Sequence, residues 1–250
     1  MALIKTPDEI QKMKNVCAIT SLILKKLIRD TRIGDTGLDI NNRAVKLFNE
    51  LGVDTLFYGY HGFPALLCIS INDSVIHGIP NGEPFNDGDI IKYDIGARLD
   101  GYCSDMARTF ILGHPRSNYQ AELVTHTRKA IDNAISRVRD GVTLKNIAEE
   151  IETYAANHQL GNVGQFHGHG IGAELHEFPA IHNCSRNVQE NIILKEGMIF
   201  TIEPMFTLGS SNIIKDNNWT VRTVDGSMAA HFEEVILVSK NKNGHEVLTK

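Results

Sequence analysis

Two aspartates lie on either side of a predicted β-hairpin turn in the first half of the sequence. Asp100-Gly101 is a typical two-residue turn between strand-like runs. With this turn, residue 105 lies opposite residue 96, so Asp94 and Asp105 become diagonal neighbours on one face of the sheet, about 7–8 Å apart between Cα atoms. Facing carboxylates repel each other unless a cation or a proton lies between them. The pair alone leaves open a shared metal ion or side chains exposed beside Arg98 or Arg108.

Further acidic residues stand inside apolar, strand-like runs of the second half. Glu203 lies within residues 200–205, where an unpaired buried charge would be costly, so a metal ion or a strong hydrogen-bond donor is expected beside it. Residues 232–238 repeat the pattern with two adjacent acids, Glu233 and Glu234. The alternation of strand side chains cannot decide which of the two points inward, and we expect the other to be exposed.

A glycine-rich segment supplies the histidines. His167-Gly168-His169-Gly170-Ile171-Gly172 is followed by His176. Glycines let other backbone approach closely and leave room for an ion or a ligand. A single histidine is more often a core or surface residue than a ligand, but three within ten residues favour a functional segment. The pattern does not decide which histidine would bind.

One histidine and four carboxylates form a hard, oxygen-rich ligand set. Such a set suits two divalent metal ions of the first transition row, such as Mn, Fe or Co, with Zn as a further candidate, whereas Mg keeps its waters more strongly. Two such ions about 3.5–4 Å apart hold a bridging hydroxide and polarise a carbonyl group, which is what amide hydrolysis requires. The residues therefore predict a dinuclear metal hydrolase.

The composition and the cysteines narrow the class of protein. Hydrophobic residues make up 42% and charged residues 22% of the chain, as in ordinary globular proteins, and the formal net charge of -5 gives no sign of nucleic acid as a partner. The cysteines are scattered without a CxxC pair, which favours reduced thiols. Because charges precede the first apolar run and Lys25 and Lys26 interrupt it, neither a signal peptide nor a membrane span is expected. The cytoplasm is the predicted compartment.

The remaining sequence predicts an α+β protein with helices that flank antiparallel strands. Thr6-Pro7-Asp8-Glu9 carries the signals of a helix start, and helices are predicted from there to before Gly34, and over 37–51, 117–139 and 143–157. Strand-like runs cover 66–71, 90–95, 107–112, 198–205, 219–224 and 229–239.

The order of helices and strands repeats along the chain. Gly88 precedes Asp94 by six residues, and Gly197 precedes Glu203 by the same interval. His77-Gly78-Ile79-Pro80 likewise resembles His176-Glu177-Phe178-Pro179. These matches predict a single domain, 1–250, made of two related halves, about 1–125 and 126–250, that contribute to one site.

Together, these motifs resemble those of the type I methionine aminopeptidases of the bacterial kind, over nearly the whole chain. The segments that carry the resemblance are Tyr60-His61-Gly62-Phe63-Pro64, Ser70-Ile71-Asn72, His77-Gly78-Ile79-Pro80, Gly168-His169-Gly170-Ile171-Gly172, Phe200-Thr201-Ile202-Glu203-Pro204 and Trp219-Thr220-Val221. The resemblance implies the pita-bread fold, with two pseudo-twofold-related halves around a dinuclear metal site. It implies removal of the initiator methionine from nascent proteins and peptides that have a small second residue.

The resemblance also assigns metal-ligand roles. It implies Asp94 as a ligand of one ion, Asp105 and Glu233 as bridges between both, and His169 and Glu203 as ligands of the other. It selects Glu233 over Glu234, because the family's small–polar–aromatic–Glu run matches residues 230–233.

For catalysis and substrate binding, the resemblance implies a hydroxide between the two ions as the nucleophile and Glu203 as the proton shuttle. His176 would stabilise the oxyanion, and His77 would contact the amide beyond the methionine. The methionine pocket would be formed by Phe57, Tyr60, Phe63, Cys68, Leu175 and Trp219, for which plain core packing is the alternative. Phe57 and Leu175 depart from the residues typical of the best-known bacterial members, so we expect a different pocket shape.

Two other functions compete with this interpretation. A proline-specific peptidase of the same fold usually carries an additional N-terminal domain, for which we expect no room in a chain that begins at the Thr6 cap. A metal-free binding protein would be expected to lack ligand carboxylates, and here all five ligand positions are filled. We expect a monomer, and docking to the ribosome is a hypothesis suggested only by the nature of the substrate.

Overall fold

The computed structural model describes residues 3–190, 192–216 and 218–250. The predicted domain, 1–250, therefore includes residues 1, 2, 191 and 217, which lie outside the described residues. The helices of the described part are α1 (Pro7–Asp30), α2 (Gly37–Leu51), α3 (Asn118–Arg137) and α4 (Leu144–Asn157). The four predicted helices are confirmed, although α3 ends two residues early. Among the described residues, none of the helices combines the length and apolarity needed to cross a bilayer.

Hydroxyl side chains fix where the helices begin. Thr6, Thr36, Ser117 and Thr143 each accept a hydrogen bond from the backbone amide three residues further along, at 3.2–3.4 Å. These bonds satisfy amides that have no partner within the helix, and such caps are typically worth about 1 kcal/mol each. The helix starts are therefore determined locally, which is why the sequence predicts them well.

The strands of the described residues form four antiparallel sheets, and most of these strands are short. Their bounds are β1 (Asp54–Thr55), β2 (Leu67–Ile71), β3 (Ser74–Ile76), β4 (Ile90–Leu99), β5 (Tyr102–Ile111), β6 (Gly161–Asn162), β7 (His167–Gly170), β8 (Glu177–His182), β9 (Ile199–Ile202), β10 (Met205–Thr207), β11 (Ile213–Lys215), β12 (Val221–Thr223), β13 (Ala229–His231), β14 (Glu234–Val238) and β15 (His245–Val247). One sheet has the order β1-β4-β2 with β5 beside β4, and another has the order β15-β14-β9-β7-β8. The two smaller sheets are β13-β10-β6 and β11-β12-β3.

The β4–β5 hairpin is the longest pairing in the described part. Asp100 and Gly101 form its turn with φ angles of 49° and 80°, and a two-residue hairpin turn of this kind requires positive values. Gly96 pairs with Asp105, and Asp94 pairs with Ala107. This register agrees with the one predicted from the turn, and it places the two aspartates diagonally on one face.

The five-stranded sheet brings together residues that are far apart in the second half of the sequence. His169 lies on β7, Glu203 directly follows β9, and Glu233 directly precedes β14. Glycines flank His169 where other chain segments crowd the strand, because a Cβ atom at Gly168 would collide with the Thr201 carbonyl. The glycine-rich run therefore has a packing role beside any functional one.

The two larger sheets meet beside these residues. Ala107 on β5 and Glu233 exchange both backbone hydrogen bonds, at 3.4 and 3.0 Å. On one side of this junction, α1 and α2 pack on the first sheet through an apolar cluster drawn from residues 16–112. On the other side, α3 and α4 pack through a cluster drawn almost entirely from residues 123–238. The junction thus brings the acids of both sheets together.

Glu234 is buried, and the expectation that one of the two adjacent acids would be exposed is wrong. Its side chain is 1% exposed and accepts hydrogen bonds from Arg108, Arg128 and Thr249 at 2.8, 2.8 and 2.6 Å. The two acids do point to opposite faces of the strand. The second face, however, is covered by α3, which carries Arg128, and not by solvent. Glu234 thereby connects β5, α3 and the C-terminal segment.

The remaining differences from the predicted strands have local causes. The predicted run 198–205 is divided into β9 and β10, because Pro204 has no amide hydrogen to donate to a sheet. β7 and β8 were not predicted. Half of β7 is glycine, and β8 contains Pro179, so neither has the composition of a typical strand.

The Glu234 contacts predict a specific loss of stability. We expect Glu234→Gln to lower the free energy of unfolding of the metal-free protein by about 3 kcal/mol, because two arginines would then face a neutral amide in a buried setting. Urea unfolding measures this. Glu246→Gln is the matched control, since the Lys14–Glu246 pair is exposed and should contribute less than about 1 kcal/mol. Equal effects of the two substitutions would contradict the assignment.

Candidate metal centre

All five side chains that the sequence analysis selected as metal ligands meet in one place between the two larger sheets. Nε2 of His169 lies 3.8 Å from Oδ2 of Asp105 and 3.9 Å from an oxygen of Glu203 and of Glu233. Ligand atoms of Asp105, His169 and Glu233 all lie within 4.8 Å of one another. Asp94, diagonal to Asp105, lines the same cavity. Four oxygen donors and one nitrogen donor therefore surround a common volume.

Burial makes the ionised form of these acids costly. None of the four acids is more than 9% exposed. Desolvation raises the pKa of Asp94 to about 7. It also raises the pKa values of Asp105, Glu203 and Glu233 well above the ordinary carboxyl range, and neighbouring acids add to the effect. Within the described residues, the basic side chains that approach these acids are the imidazoles of His169 and His231, at 3.8–3.9 Å, so no lysine or arginine compensates the acids' charge.

The imidazole of His169 is prepared for coordination through Nε2. Its Nδ1 lies 3.0 Å from the Gly170 carbonyl oxygen, which can only accept, so Nδ1 carries the hydrogen. Burial lowers the pKa of His169 to about 3, and the ring is therefore neutral with a free lone pair on Nε2. The Thr201 hydroxyl accepts from the His169 backbone amide at 3.0 Å and donates to Glu203 at 3.3 Å, which holds the His169 backbone and orients the Glu203 side chain.

Unpaired oxygen atoms show that the residues fit bound cations. Among the described residues, Oδ1 of Asp94, Oδ1 of Asp105 and Oε1 of Glu233 are buried without a hydrogen-bond partner. Such atoms are costly unless an ion or a proton satisfies them. Carboxylate oxygens around a neutral imidazole nitrogen are the donors that divalent transition-metal ions prefer. The site therefore has the chemistry of a divalent-metal centre.

A cavity of about 400 Å³ adjoins the five ligand side chains. It is lined by every residue predicted to bind substrate: Phe57, Tyr60, Phe63, Cys68, His77, Leu175, His176 and Trp219. Phe63 and Trp219 pack edge to face with ring centres 5.2 Å apart. The aromatic and aliphatic part of this wall can surround an apolar side chain next to the metal centre, although the individual roles stay predictions.

Two histidines of the cavity wall are neutral near neutral pH. Burial, followed by the nearby His167 and His61, lowers the pKa of His176. Burial lowers the pKa of His77 to about 4. Nδ1 of His176 lies 2.9 Å from the Tyr60 hydroxyl, and its ring centre lies 4.3 Å from that of His169. Tyr60 thus contacts His176 in addition to lining the cavity.

The structure adds residues that the sequence analysis did not select. Phe166, His167 and Glu177 line the cavity. His231 is buried with Nε2 3.8 Å from Oε2 of Glu203, and neither ring nitrogen has a hydrogen-bond partner among the described residues. A sequence signal existed for each, because all four directly adjoin motifs that were recognised. Proximity in sequence to a motif was therefore more informative than residue type.

Comparison with known proteins identifies relatives over the full length. A family model, Metallopeptidase family M24, matches residues 11–240. Methionine aminopeptidase 1 of Bacillus subtilis is 36% identical over 252 residues, which cover 100% of both chains. A methionine aminopeptidase of Clostridium acetobutylicum is 37% identical and covers 100% of this chain and 99% of its own.

Solved structures give the same result for the fold. Methionine aminopeptidase from Rickettsia prowazekii is 34% identical with a TM-score of 0.95, and both chains are covered completely. The enzyme of that name from Thermotoga maritima is 36% identical with a TM-score of 0.94, again over both whole chains. Prolidase from Pyrococcus furiosus, at 24% identity and a TM-score of 0.81, covers 99% of this chain and 65% of its own. The predicted α+β, pita-bread fold is confirmed.

The raised pKa values predict that metal binding releases protons. Asp94, with its pKa raised to about 7, is partly protonated near neutral pH, and an incoming cation must displace that proton, whereas His169 is already neutral and contributes none. Calorimetric titration of the metal-free protein with Mn²⁺, in buffers of different ionisation enthalpy, counts the protons released. Glu203→Gln should release fewer, and Glu196→Gln, at an exposed surface acid, should not change the number. Heats independent of the buffer would contradict this prediction.

Proposed function

The chain belongs to metallopeptidase family M24 and, within it, to the methionine aminopeptidases, and we propose that the metal centre is where it removes the N-terminal methionine of proteins and peptides. The observation that carries this proposal is the convergence of four buried acids and one neutral imidazole beside an apolar cavity. A metallo-aminopeptidase needs both parts, a centre that activates water and a pocket that selects the first residue.

The five ligand side chains would hold two divalent cations: Asp94, Asp105, His169, Glu203 and Glu233. When bound, the cations lower the pKa of a water molecule and polarise the peptide carbonyl. We propose Mn, Fe or Co, with Zn as a further candidate, because these ions accept a mixed set of carboxylate and imidazole ligands.

Glu203 is the proposed proton carrier of the reaction. Burial, and next the charge of Asp94, raise its pKa well above the usual value, which makes its carboxylate a stronger base than an exposed glutamate. The Thr201 hydroxyl holds Oε1 of Glu203, and Oε2 faces His231. We propose that Glu203 takes a proton from the attacking water and returns it to the leaving amine.

His176 and His77 are proposed to contact the scissile and the following amide. We propose that the Tyr60 hydroxyl, 2.9 Å away, donates to Nδ1 of His176, so that the neutral imidazole presents an Nε2–H donor that can stabilise negative charge on the carbonyl oxygen. His77 packs edge to face on Phe166, with ring centres 5.6 Å apart, and this contact holds it at the cavity wall. Its lowered pKa keeps it neutral and able to bind an amide group.

The six apolar and aromatic wall residues are proposed as the methionine pocket. Phe57, Phe63, Cys68 and Leu175 are buried in one cluster, and Trp219 packs against it. Burial raises the pKa of the Cys68 thiol well above its ordinary value, so Cys68 behaves as a small apolar group there. A thioether side chain in such a pocket gains from apolar burial and from sulfur–aromatic contacts.

Several broader expectations accompany this function as proposals. We propose a cytoplasmic monomer whose substrates are nascent polypeptides. Docking to the ribosome is a further hypothesis, suggested only by the nature of the substrate. We also propose that the two halves, about 1–125 and 126–250, are related by internal repetition. Their separate apolar clusters and their shared metal centre support this organisation.

A substrate panel tests the proposed specificity. We expect cleavage of Met-Ala-Ser and weak or no cleavage of Met-Lys-Ser, and we propose that a narrow space beyond the scissile bond causes this discrimination. The measurement is release of free methionine by the metal-loaded protein, with X-Pro dipeptides as the comparison. Similar rates on both Met peptides would contradict the expected selectivity. Cleavage of X-Pro dipeptides in place of Met peptides would assign the site to proline-specific hydrolysis.

The oxyanion role predicts a selective loss of rate in His176→Ala. We expect kcat to fall about 100-fold with KM changed little, because one donor to the developing charge is removed. Metal affinity, measured by calorimetry, should be unchanged because His176 is not among the ligands. His182→Ala, which removes a partly exposed imidazole at the end of β8, is the control and should retain its rate. A lowered metal affinity in His176→Ala would instead assign this residue to the metal centre.

A further inference from the structure

A buried ion pair lies beside the metal centre and has no part in the chemistry described above. Nζ of Lys5 contacts Oε2 of Glu177 at 2.6 Å, and the two side chains are only 5% and 6% exposed. The Lys14–Glu246 pair, by contrast, is 36% and 41% exposed. Because removing two charges from water is expensive, a buried pair is weak evidence for stability alone and calls for a positional reason.

The lysine is held by its backbone before its side chain reaches the acid. The Lys5 amide donates to the Gly197 carbonyl oxygen at 2.8 Å, and Ile4 forms a β-bridge with Met198, just before β9. The N-terminal segment is thereby attached to the sheet that carries His169 and Glu203. The Lys5 side chain therefore extends from a backbone whose position is fixed.

Glu177 holds together the loop that precedes it. One oxygen of Glu177 accepts from Lys5, and the other accepts from the Glu174 backbone amide at 3.2 Å. Gly172 begins this loop, and a side chain there would collide with both Lys5 Nζ and Glu177 Oε1. Residues 172–177 are therefore wrapped closely around the charged pair.

This loop carries side chains that the proposed reaction uses. Leu175 lines the apolar part of the cavity, and His176 immediately precedes Glu177. The Tyr60 hydroxyl restrains the His176 ring at Nδ1, but it cannot fix the backbone from which the ring extends. The start of the loop is held by the Cys103 amide, which donates to the Gly172 carbonyl oxygen at 2.7 Å, and the part next to His176 is held by Glu177, and thus by Lys5.

We propose that Lys5 is a positioning residue for His176: through Glu177, its ammonium group holds the 172–177 loop so that the imidazole faces the metal centre. The proposal rests on the function proposed for His176. It extends the active centre to a residue 172 positions away from Glu177 in sequence.

The test begins with Lys5→Met, which keeps most of the alkyl chain and removes the charge. For the metal-loaded protein on Met-Ala-Ser, we expect kcat per metal-loaded centre to fall about tenfold with KM within about twofold, because the donor to the transition state is displaced while the pocket remains. Lys14→Met breaks an exposed lysine–glutamate pair and serves as the matched control, with kcat unchanged. An unchanged kcat in Lys5→Met would overturn the proposal.

A double-mutant cycle separates positioning from general destabilisation. In a His176→Ala background, Lys5→Met should change kcat by less than about twofold, because the group that it positions is absent. The same tenfold loss in both backgrounds would show that Lys5 acts independently of His176 and would overturn the proposal.

Lys5→Met/Glu177→Gln covers the case in which the single variant folds poorly, since it removes both buried charges together. We expect its thermal stability to recover because no unpaired buried charge remains. We expect kcat to stay low because no charged pair holds the 172–177 loop. Full recovery of kcat would mean that Lys5 only neutralises Glu177, which would overturn positioning. Inactivity of the unsubstituted protein on Met-Ala-Ser would overturn the proposed function instead, so the two failures are distinguishable.

Discussion

Four carboxyl groups lie buried around one imidazole, and the charges of these carboxyl groups must be compensated. Their ionised forms are stable there only when positive charge is supplied. The cationic side chains near the site are engaged elsewhere: Arg108 and Arg128 hold Glu234, and Lys92 donates to the carbonyl oxygens of Asn72 and Ala229. The compensating charge must therefore come from bound cations or, in their absence, from protons.

The adjacent acids Glu233 and Glu234 show that the fold uses buried carboxylates in two ways, one at the candidate metal centre and one in contact with arginines. One faces the metal centre with an unpaired oxygen, and the other faces two arginines. A shift of the strand by one residue would exchange them, which would leave the arginines without their acid and the centre without a ligand. The backbone bonds between Ala107 and Glu233 oppose such a shift. The register of this strand therefore decides which of the two acids faces the candidate metal centre.

Parts of this arrangement follow from the sequence because their causes are local. Helix starts depend on a hydroxyl and the next few amides, and the relation of Asp94 to Asp105 depends on a two-residue turn. The burial of Glu234 depends on Arg128, 106 residues away, and β7 and β8 form by pairing with each other and, for β7, also with β9. Their composition gave no strand signal. The choice of His169 among three histidines likewise required either family resemblance or coordinates, since it is set by contacts with Thr201 and Gly170.

The two sides of the metal centre also reach their rigidity by different means. The aspartates stand on a hairpin of ten consecutive residue pairs, which needs little further support. His169 and Glu203 stand on or next to four-residue strands, and His176 stands on a loop. Both strands are short and β7 is half glycine, so side-chain contacts such as Thr201 to Glu203 help to fix the geometry of this side. Distant residues, Lys5 among them, therefore belong to the active centre for a physical reason: the second sheet cannot orient its own functional groups through backbone pairing alone.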